Sequence, residues 1–364
     1  MHVPWALALG LALRPWLGWA AALIAVVAWA APVWALRPLV ADTLPDSPRP
    51  RWRVNWLERP FLVHWTAVHV VVPGWLAGTV AWSLGLCPGA DPWWWALAAY
   101  GAAWVVFAWG AFITPLLLRV RHLKIEIPGL PAAFEGYRIA HLSDLHVGGF
   151  THPETVARWI RRAQREAADL CVITGDLVTS GVAFHEVIAQ HVGELSSPDG
   201  VVFVPGNHDY FGEGQPLFGE LERRGVRVLR NQHFMIERMQ DRMIIAGVDD
   251  VWTKRLDLHA ALQGRPAGTT VLLAHDPAVF DEAIDEGVSL VLSGHTHGGQ
   301  LAVPGFARWI NLTRLSHRYS LGIYRRSGCT LVVSGGLGFT GLPIRVGVRP
   351  EVLILRLVAS PSNR

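Results

Sequence analysis

His141-Leu142-Ser143-Asp144-Leu145-His146-Val147-Gly148-Gly149 marks the point where this 364-residue chain changes character. Fifteen of the 18 tryptophans lie before residue 120, in an apolar first third, and beyond it short apolar runs alternate with turns and charged helices. Asp144 and His146 leave the end of the apolar run from Tyr137 to Leu142. If that run is a strand, side chains two apart share a face, so the carboxylate and the imidazole point the same way. That pair, followed by two glycines, suits a metal site better than a packing role.

The composition around this stretch is a mixture. Hydrophobic residues make up 51% and charged residues only 17%, against about a quarter charged in ordinary soluble chains. The deficit belongs to the first third alone, so a membrane part is joined to a soluble part. The length allows about two domains, divided at residues 1–122 and 123–364. A net charge of +3 and the absence of an Arg/Lys stripe interleaved with aromatics argue against nucleic acid as a partner. Cys87, Cys171 and Cys329 form neither a disulfide framework nor a metal-binding pair, which fits a reducing compartment.

Three apolar segments, 16–36, 61–86 and 93–118, are each long enough for a hydrocarbon core, which takes about 20 residues. Residues 4–13 are too short to span alone. They could extend the first helix, lie in the interface or pair as a tight hairpin. No basic stretch precedes them, so a cleaved signal peptide is a poor reading. Arg37, Arg49, Arg51, Arg53 and Arg59 lie between the first two spans, and Arg119, Arg121 and Lys124 follow the third. The positive-inside rule then puts both regions, and the C-terminal domain, in the cytoplasm. His64 and His69 within the second span read as structural hydrogen-bonding groups rather than a transport pathway.

In the soluble part, residues 138–143, 170–174, 201–205, 270–274 and 289–293 read as buried strands. Residues 153–168 have helical spacing with a charged face carrying Arg158, Arg161, Arg162 and Arg165, and Pro277 begins a helix capped by Asp276. Residues 234–238 and 243–248 suggest a hairpin, and 319–325, 330–334 and 352–357 a further group of strands. The pattern argues an α/β domain with more than one sheet. Every buried strand ends on a candidate ligand: Asp144 and His146, then Asp176, then Asn207-His208-Asp209, then His275, then His295 and His297. Ligands gather at the carboxyl ends of strands in such sheets. The mixed oxygen and imidazole set is too large for one ion and suits two divalent metals such as Mn, Fe or Zn, with Asp176 central enough to bridge them. Two such ions bind both oxygens of a phosphoester and generate hydroxide at neutral pH.

Asp-x-His, Gly-Asp, Gly-Asn-His-Asp, His and Gly-His-x-His, in this order over residues about 124–357, resemble the calcineurin-like metallophosphoesterase superfamily. The extended blocks Ser293-Gly-His-Thr-His-Gly-Gly-Gln300 and Val333-Ser-Gly-Gly-Leu-Gly338 are similar to its bacterial YkuE/YaeI-like membrane-associated branch. The resemblance implies a four-layer αββα sandwich. It implies that Asp144, His146, Asp176 and His297 hold one metal and Asp176, Asn207, His275 and His295 the other. His208 would contact the phosphate, together with Asn207, and protonate the leaving oxygen, with Asp209 orienting it. Gly335 stands where an arginine is expected, which puts one phosphate contact in question.

The chain therefore reads as a hydrolase, multi-pass in a bacterial inner membrane with its catalytic domain in the cytoplasm. It would cleave a phosphoester or pyrophosphate in a small-molecule or lipid-linked substrate. The branch includes enzymes that split UDP-2,3-diacylglucosamine in lipid A metabolism. The alternatives are a phosphodiesterase or phosphatase on soluble nucleotides or phosphoproteins, and a non-catalytic membrane scaffold. His141 reads as packing, and His152, His185, His191 and His233 as solvent-facing. Asn311-Leu312-Thr313 fits a glycosylation triplet that arises by chance.

Overall fold

The computed structural model describes residues 2–28, 30, 48–87, 89 and 91–360. Contacts divide them into two units: the helices up to Thr114 together with Leu342–Val346, and the rest of the chain from Pro115.

In the helical unit, His2–Leu17 is one helix and residues 20–28 are helical after a turn at Gly18. A Cβ on Gly10 would lie 2.9 Å from the Cβ of Ala25, so small side chains let the two segments close as a tight hairpin. Of the expected span 16–36, residue 29 and residues 31–36 lie outside the described residues. Two helical stretches, Arg51–Ser83 and Pro92–Leu116, are long and apolar enough to cross a membrane. The first starts well before the expected 61–86. Glu58 is buried and paired with Arg49 at 3.0 Å and Arg53 at 2.8 Å, so the basic turn continues the helix instead of ending it. Asp91 caps the second by accepting from the Trp93 amide. His64 bonds the Tyr100 hydroxyl at 2.8 Å, a structural use.

Among its described residues the second unit contains twelve strands. They are β1 (Arg119–Pro128), β2 (Arg138–Leu142), β3 (Leu170–Thr174), β4 (Val201–Val204), β5 (Val226–Val228) and β6 (Gln232–Arg238), then β7 (Asp241–Gly247), β8 (Thr269–Leu273), β9 (Leu290–Ser293), β10 (Gly322–Arg326), β11 (Cys329–Val333) and β12 (Glu351–Ser360). One sheet runs β1-β12-β2-β3-β4-β5 and the other β10-β11-β9-β8-β7-β6. Ile139, Leu170, Val172, Val271, Leu273 and Leu292 share one core between the sheets. On the outer face of the first sheet Val156, Ile160 and Ile188 pack from helices Pro153–Gln164 and His185–Val192. On the outer face of the second, Ala261, Phe280 and Ala283 do the same. Three apolar cores between four layers make the αββα sandwich, as burial of both faces of a mostly parallel sheet requires.

Several expectations change. The division at 122 falls inside β1, an edge strand of which only Ile125 and Ile127 are buried; its alternating charges read as the flank of a membrane span. The helix from Pro153 ends at Gln164, short of 168. His185, expected at the surface, is buried, and His152, His191 and His233 are half-buried. Cys87, Cys171 and Cys329 are free thiols, and Asp276 caps the turn at Pro277 through the Ala278 amide.

Candidate dinuclear metal centre

Strands β2, β3 and β4 lie parallel in one sheet, and β8 and β9 in the other, so their carboxyl ends open on one side of the sandwich. The first residues beyond them carry the chemistry. Asp144, His146, Asp176, His295 and His297 all have φ between 45° and 68°. Left-handed backbone in non-glycine residues costs free energy and collects at functional sites. Here it recurs on five ligand candidates and turns each side chain off its strand toward the others. Backbone bonds tie the loops together: the His146 amide donates to the Asp176 carbonyl at 2.9 Å and the Asp144 amide to that of Gly175 at 3.1 Å.

Two groups result, Asp144-His146-Asp176-His297, all buried, and Asp176-His275-His295, buried except for the half-buried His295, with potential ligand atoms in each within 4.8 Å of one another. Asp176 belongs to both. Its Oδ2 lies 3.3 Å from His146 Nε2 and 3.1 Å from His275 Nε2. His297 Nε2 is 3.0 Å from His146 Nε2 and 3.4 Å from Asp144 Oδ1. Two imidazole nitrogens facing each other at that distance need a shared proton or a cation between them. Asp144 Oδ2 and Asn207 Oδ1 are buried with no hydrogen-bond partner, although buried oxygens are ordinarily satisfied. These orphaned acceptors and facing nitrogens fit a dinuclear centre of oxygen and imidazole donors. Each group contains residues that the resemblance names for one metal, and Asn207 lies outside both, with its Oδ1 buried and unsatisfied.

Charge in the site is dominated by Asp176. Burial opposes its ionisation, but His275 and His146 hold its carboxyl well below the usual carboxylate range. Against its own burial, His275 is carried up to about 10 by Asp176 and Asp144. Burial and the His275 charge push His295 down to about 4. Cations and protons compete for these nitrogens.

A second set of contacts orients the ligands. His275 Nδ1 donates to the Thr174 carbonyl at 2.7 Å, which leaves Nε2 as the donor atom toward a metal. His208 Nδ1 donates to the Thr179 carbonyl at 2.6 Å. Thr179, not Asp209, is therefore the group that orients the His208 ring. The Asp209 carboxylate instead accepts from the backbone amides of Asp176, Leu177 and Gly206 at 2.8 to 2.9 Å. Burial and Asp176 push Asp209 up to about 7. It holds two ligand loops together, and it reaches His208 only through their shared backbone.

The structure adds residues that the sequence did not single out. His208 Nε2 lies 3.4 Å from Thr340 Oγ1, and Thr340 is held by Gln300, which accepts from its amide and donates to its carbonyl. Phe211 and Trp252, both exposed, stand 4.6 Å from the His208 ring and 5.8 Å from the His295 ring. Asp250 is buried within electrostatic reach of His275 and Asp176. It follows β7, and the strand-end rule applied to that strand would have found it. Gly335 donates its amide to Glu351 Oε1 at 2.9 Å. A side chain there would start against Val348, Glu351 and Leu321, none of them a ligand candidate, so the missing arginine removes nothing from the metal cluster.

The family description "calcineurin-like phosphoesterase" matches residues 137–299. An uncharacterized metallophosphoesterase of Aquifex aeolicus is 35% identical over 248 residues, covering 66% of this chain and 92% of that protein. The chain is a calcineurin-like metallophosphoesterase. Its family is one of phosphoester hydrolases. Bacillus subtilis metallophosphoesterase YkuE is 28% identical over 69% of this chain and 89% of its own length. A Danio rerio "transmembrane protein with metallophosphoesterase domain" is 34% identical over 64% of this chain, and the match spans 56% of that longer protein. The metallophosphoesterase similarity thus extends to relatives named as transmembrane proteins, and the described residues of this chain include two helices long and apolar enough to span.

Proposed function

We propose that this metallophosphoesterase is a membrane-anchored dinuclear hydrolase that cleaves a phosphoester or pyrophosphate bond in a lipid-linked substrate. The observation that carries the catalytic reading is the sharing of buried Asp176 by two Asp/His groups. When bound, two divalent cations supply positive charge to the phosphoryl oxygens and make water nucleophilic at neutral pH. Asp144, His146, Asp176 and His297 would hold one of them, and Asp176, Asn207, His275 and His295 the other. His208 binds the phosphate alongside Asn207 and gives a proton from Nε2 to the leaving oxygen. Burial lowers its pKa, so the free ring is neutral with Nε2 bare; an anionic phosphate beside it favours the protonated form. Phe211 and Trp252 offer flat apolar surface at the rim, where a base or an acyl chain can lie.

The lipid-linked reading rests on the two apolar helices and on relatives named as transmembrane. A domain tethered to a bilayer meets substrates in that bilayer at high effective concentration. The basic residues 49, 51, 53, 59, 119, 121 and 124 favour a cytoplasmic face, in a bacterial inner membrane. UDP-2,3-diacylglucosamine, which joins a base, a pyrophosphate and acyl chains, is the specific candidate. Purified protein with Mn(II) is then expected to release UMP from it. Turnover of bis(p-nitrophenyl) phosphate with no UMP release would leave the second reading, an enzyme of soluble nucleotides that uses Trp252 or Phe211 to stack the base.

A further inference from the structure

Away from the metal ligands, the second unit carries a cavity of about 620 Å³ lined by five arginines, 119, 121, 308, 325 and 349, and a single carboxylate, Glu351. That carboxylate is already used. Its Oε1 accepts from the Gly335 amide at 2.9 Å and its Oε2 pairs with Arg121 at 3.1 Å. Arg308 donates to the Ile323 carbonyl at 2.6 Å, which satisfies a hydrogen bond but no charge. Among the described residues Arg119, Arg325 and Arg349 have no acidic partner, whereas the neighbouring Arg326 pairs with Asp281 at 2.6 Å. Like charges gathered without counter-charge repel, so the cavity is built for an anion.

The wall beside these arginines is apolar and outward-facing. Trp309 lines the cavity, and in the same loop Phe306, Trp309, Ile310, Leu312 and Leu315 are 55 to 87% exposed. The loop is ordered around Asn311, which is buried. Its Nδ2 donates to the Ala307 carbonyl at 2.7 Å and the Ser320 hydroxyl at 3.0 Å, and its Oδ1 accepts from the Arg314 amide. That use of Nδ2 accounts for Asn311 without glycosylation. Ordered display of Trp, Phe and Leu next to arginine is the composition of a membrane-interface element. The covalent chain supplies the second reason. Arg119 follows Leu116, the end of the second apolar helix, by three residues, so it stays within about 10 Å of that end. Gly347 and Arg349 likewise follow Leu342–Val346, a segment of the helical unit.

We infer that this arginine cavity and its apolar lip bind the headgroup phosphate of an anionic membrane phospholipid. The inference rests on the helices spanning a bilayer and is independent of the identity of the hydrolysed substrate. It is tested on the full chain in detergent by native mass spectrometry, titrating phosphatidylglycerol or phosphatidylcholine. The expected result is a preference for phosphatidylglycerol that Arg325→Gln with Arg349→Gln weakens on the order of twenty-five-fold, about fivefold per arginine. Arg326→Gln is expected to change nothing, and all variants should hydrolyse bis(p-nitrophenyl) phosphate like the parent. Equal binding of both lipids, or equal binding by parent and double variant, overturns the inference. So does displacement of the lipid by inorganic phosphate at comparable concentration, which makes the cavity a soluble-anion site. Hydrolysis in the same samples reports the catalytic reading separately, and carbonate extraction of the membranes reports the spanning helices.

Discussion

His208 and Asp209 are adjacent yet do different work, and the difference can be measured. His208 has one nitrogen on the Thr179 carbonyl and the other open toward Thr340, whereas Asp209 is spent on four backbone amides, those of Asp176, Leu177, Gly206 and, at 3.4 Å, Val178. His208→Gln is expected to lower kcat by about 10² to 10⁴, the range for loss of a proton-transfer group, with bound metal unchanged. Asp209→Ala is expected to leave these amides unsatisfied and cost about 3 kcal/mol or more, roughly 10 °C in Tm for a domain of this size, with loss of metal. Calorimetry and metal analysis on both variants separate the roles; normal Tm in Asp209→Ala contradicts the assignment. His141 offers a pH test. It is wholly buried, bonded to Thr174 Oγ1 at 2.8 Å, and burial pushes it down to about 3. The native ring stays neutral while the unfolded chain takes up a proton below about 6.5. Its contribution to stability is therefore complete above pH of about 6.5 and is lost as pH falls toward the native value. His141→Asn is expected to make the fall of Tm between pH of about 6.5 and 4 shallower than in the parent; parallel curves would count against it.

Between elements, the site depends on how closely loops from two sheets approach. A Cβ on Gly206 would lie 2.2 Å from Asp176 Oδ1 and one on Gly294 2.3 Å from Asp144 Oδ2. Gly206→Ala must displace Asp176, so elemental analysis is expected to find less metal per chain than in the parent, with activity falling in proportion. The five strand ends and their ligand candidates were legible in the sequence, because buried parallel strands are short continuous apolar runs bounded by glycine. The positive φ values were not, since the enrichment of Asp and His in left-handed backbone does not mark which of them adopt it. Nor were the partners of His208: Thr179 and Thr340 lie 29 residues before it and 132 after it, and ordinary threonines at such separations show no pattern. β1 was hidden for a different reason. As an edge strand it exposes most of its charges, and their alternation resembled the flank of a membrane span.

Across the protein, the four-layer sandwich explains why one carboxylate can serve two groups of ligands. Asp176 leaves β3 in one sheet, its companions Asp144 and His146 leave β2 of the same sheet, and His275, His295 and His297 leave β8 and β9 of the other. The candidate metal site is thus held by the packing of both sheets on a common core. Leu342–Val346 interrupts this unit by belonging to the helices, and Ile344 and Arg345 within it are buried. Removing the N-terminal helices would therefore strip the partners from a segment of the catalytic chain, so comparisons of substrates belong on the intact protein. The decisive measurement is metal stoichiometry and phosphodiester turnover of the full chain and of Asp176→Asn, taken together. A shared bridging carboxylate predicts two divalent ions per parent chain, loss of both sites in the variant and a fall in kcat/KM of about a thousandfold or more. Parent-like turnover in Asp176→Asn, or activity with one ion per chain, would contradict it.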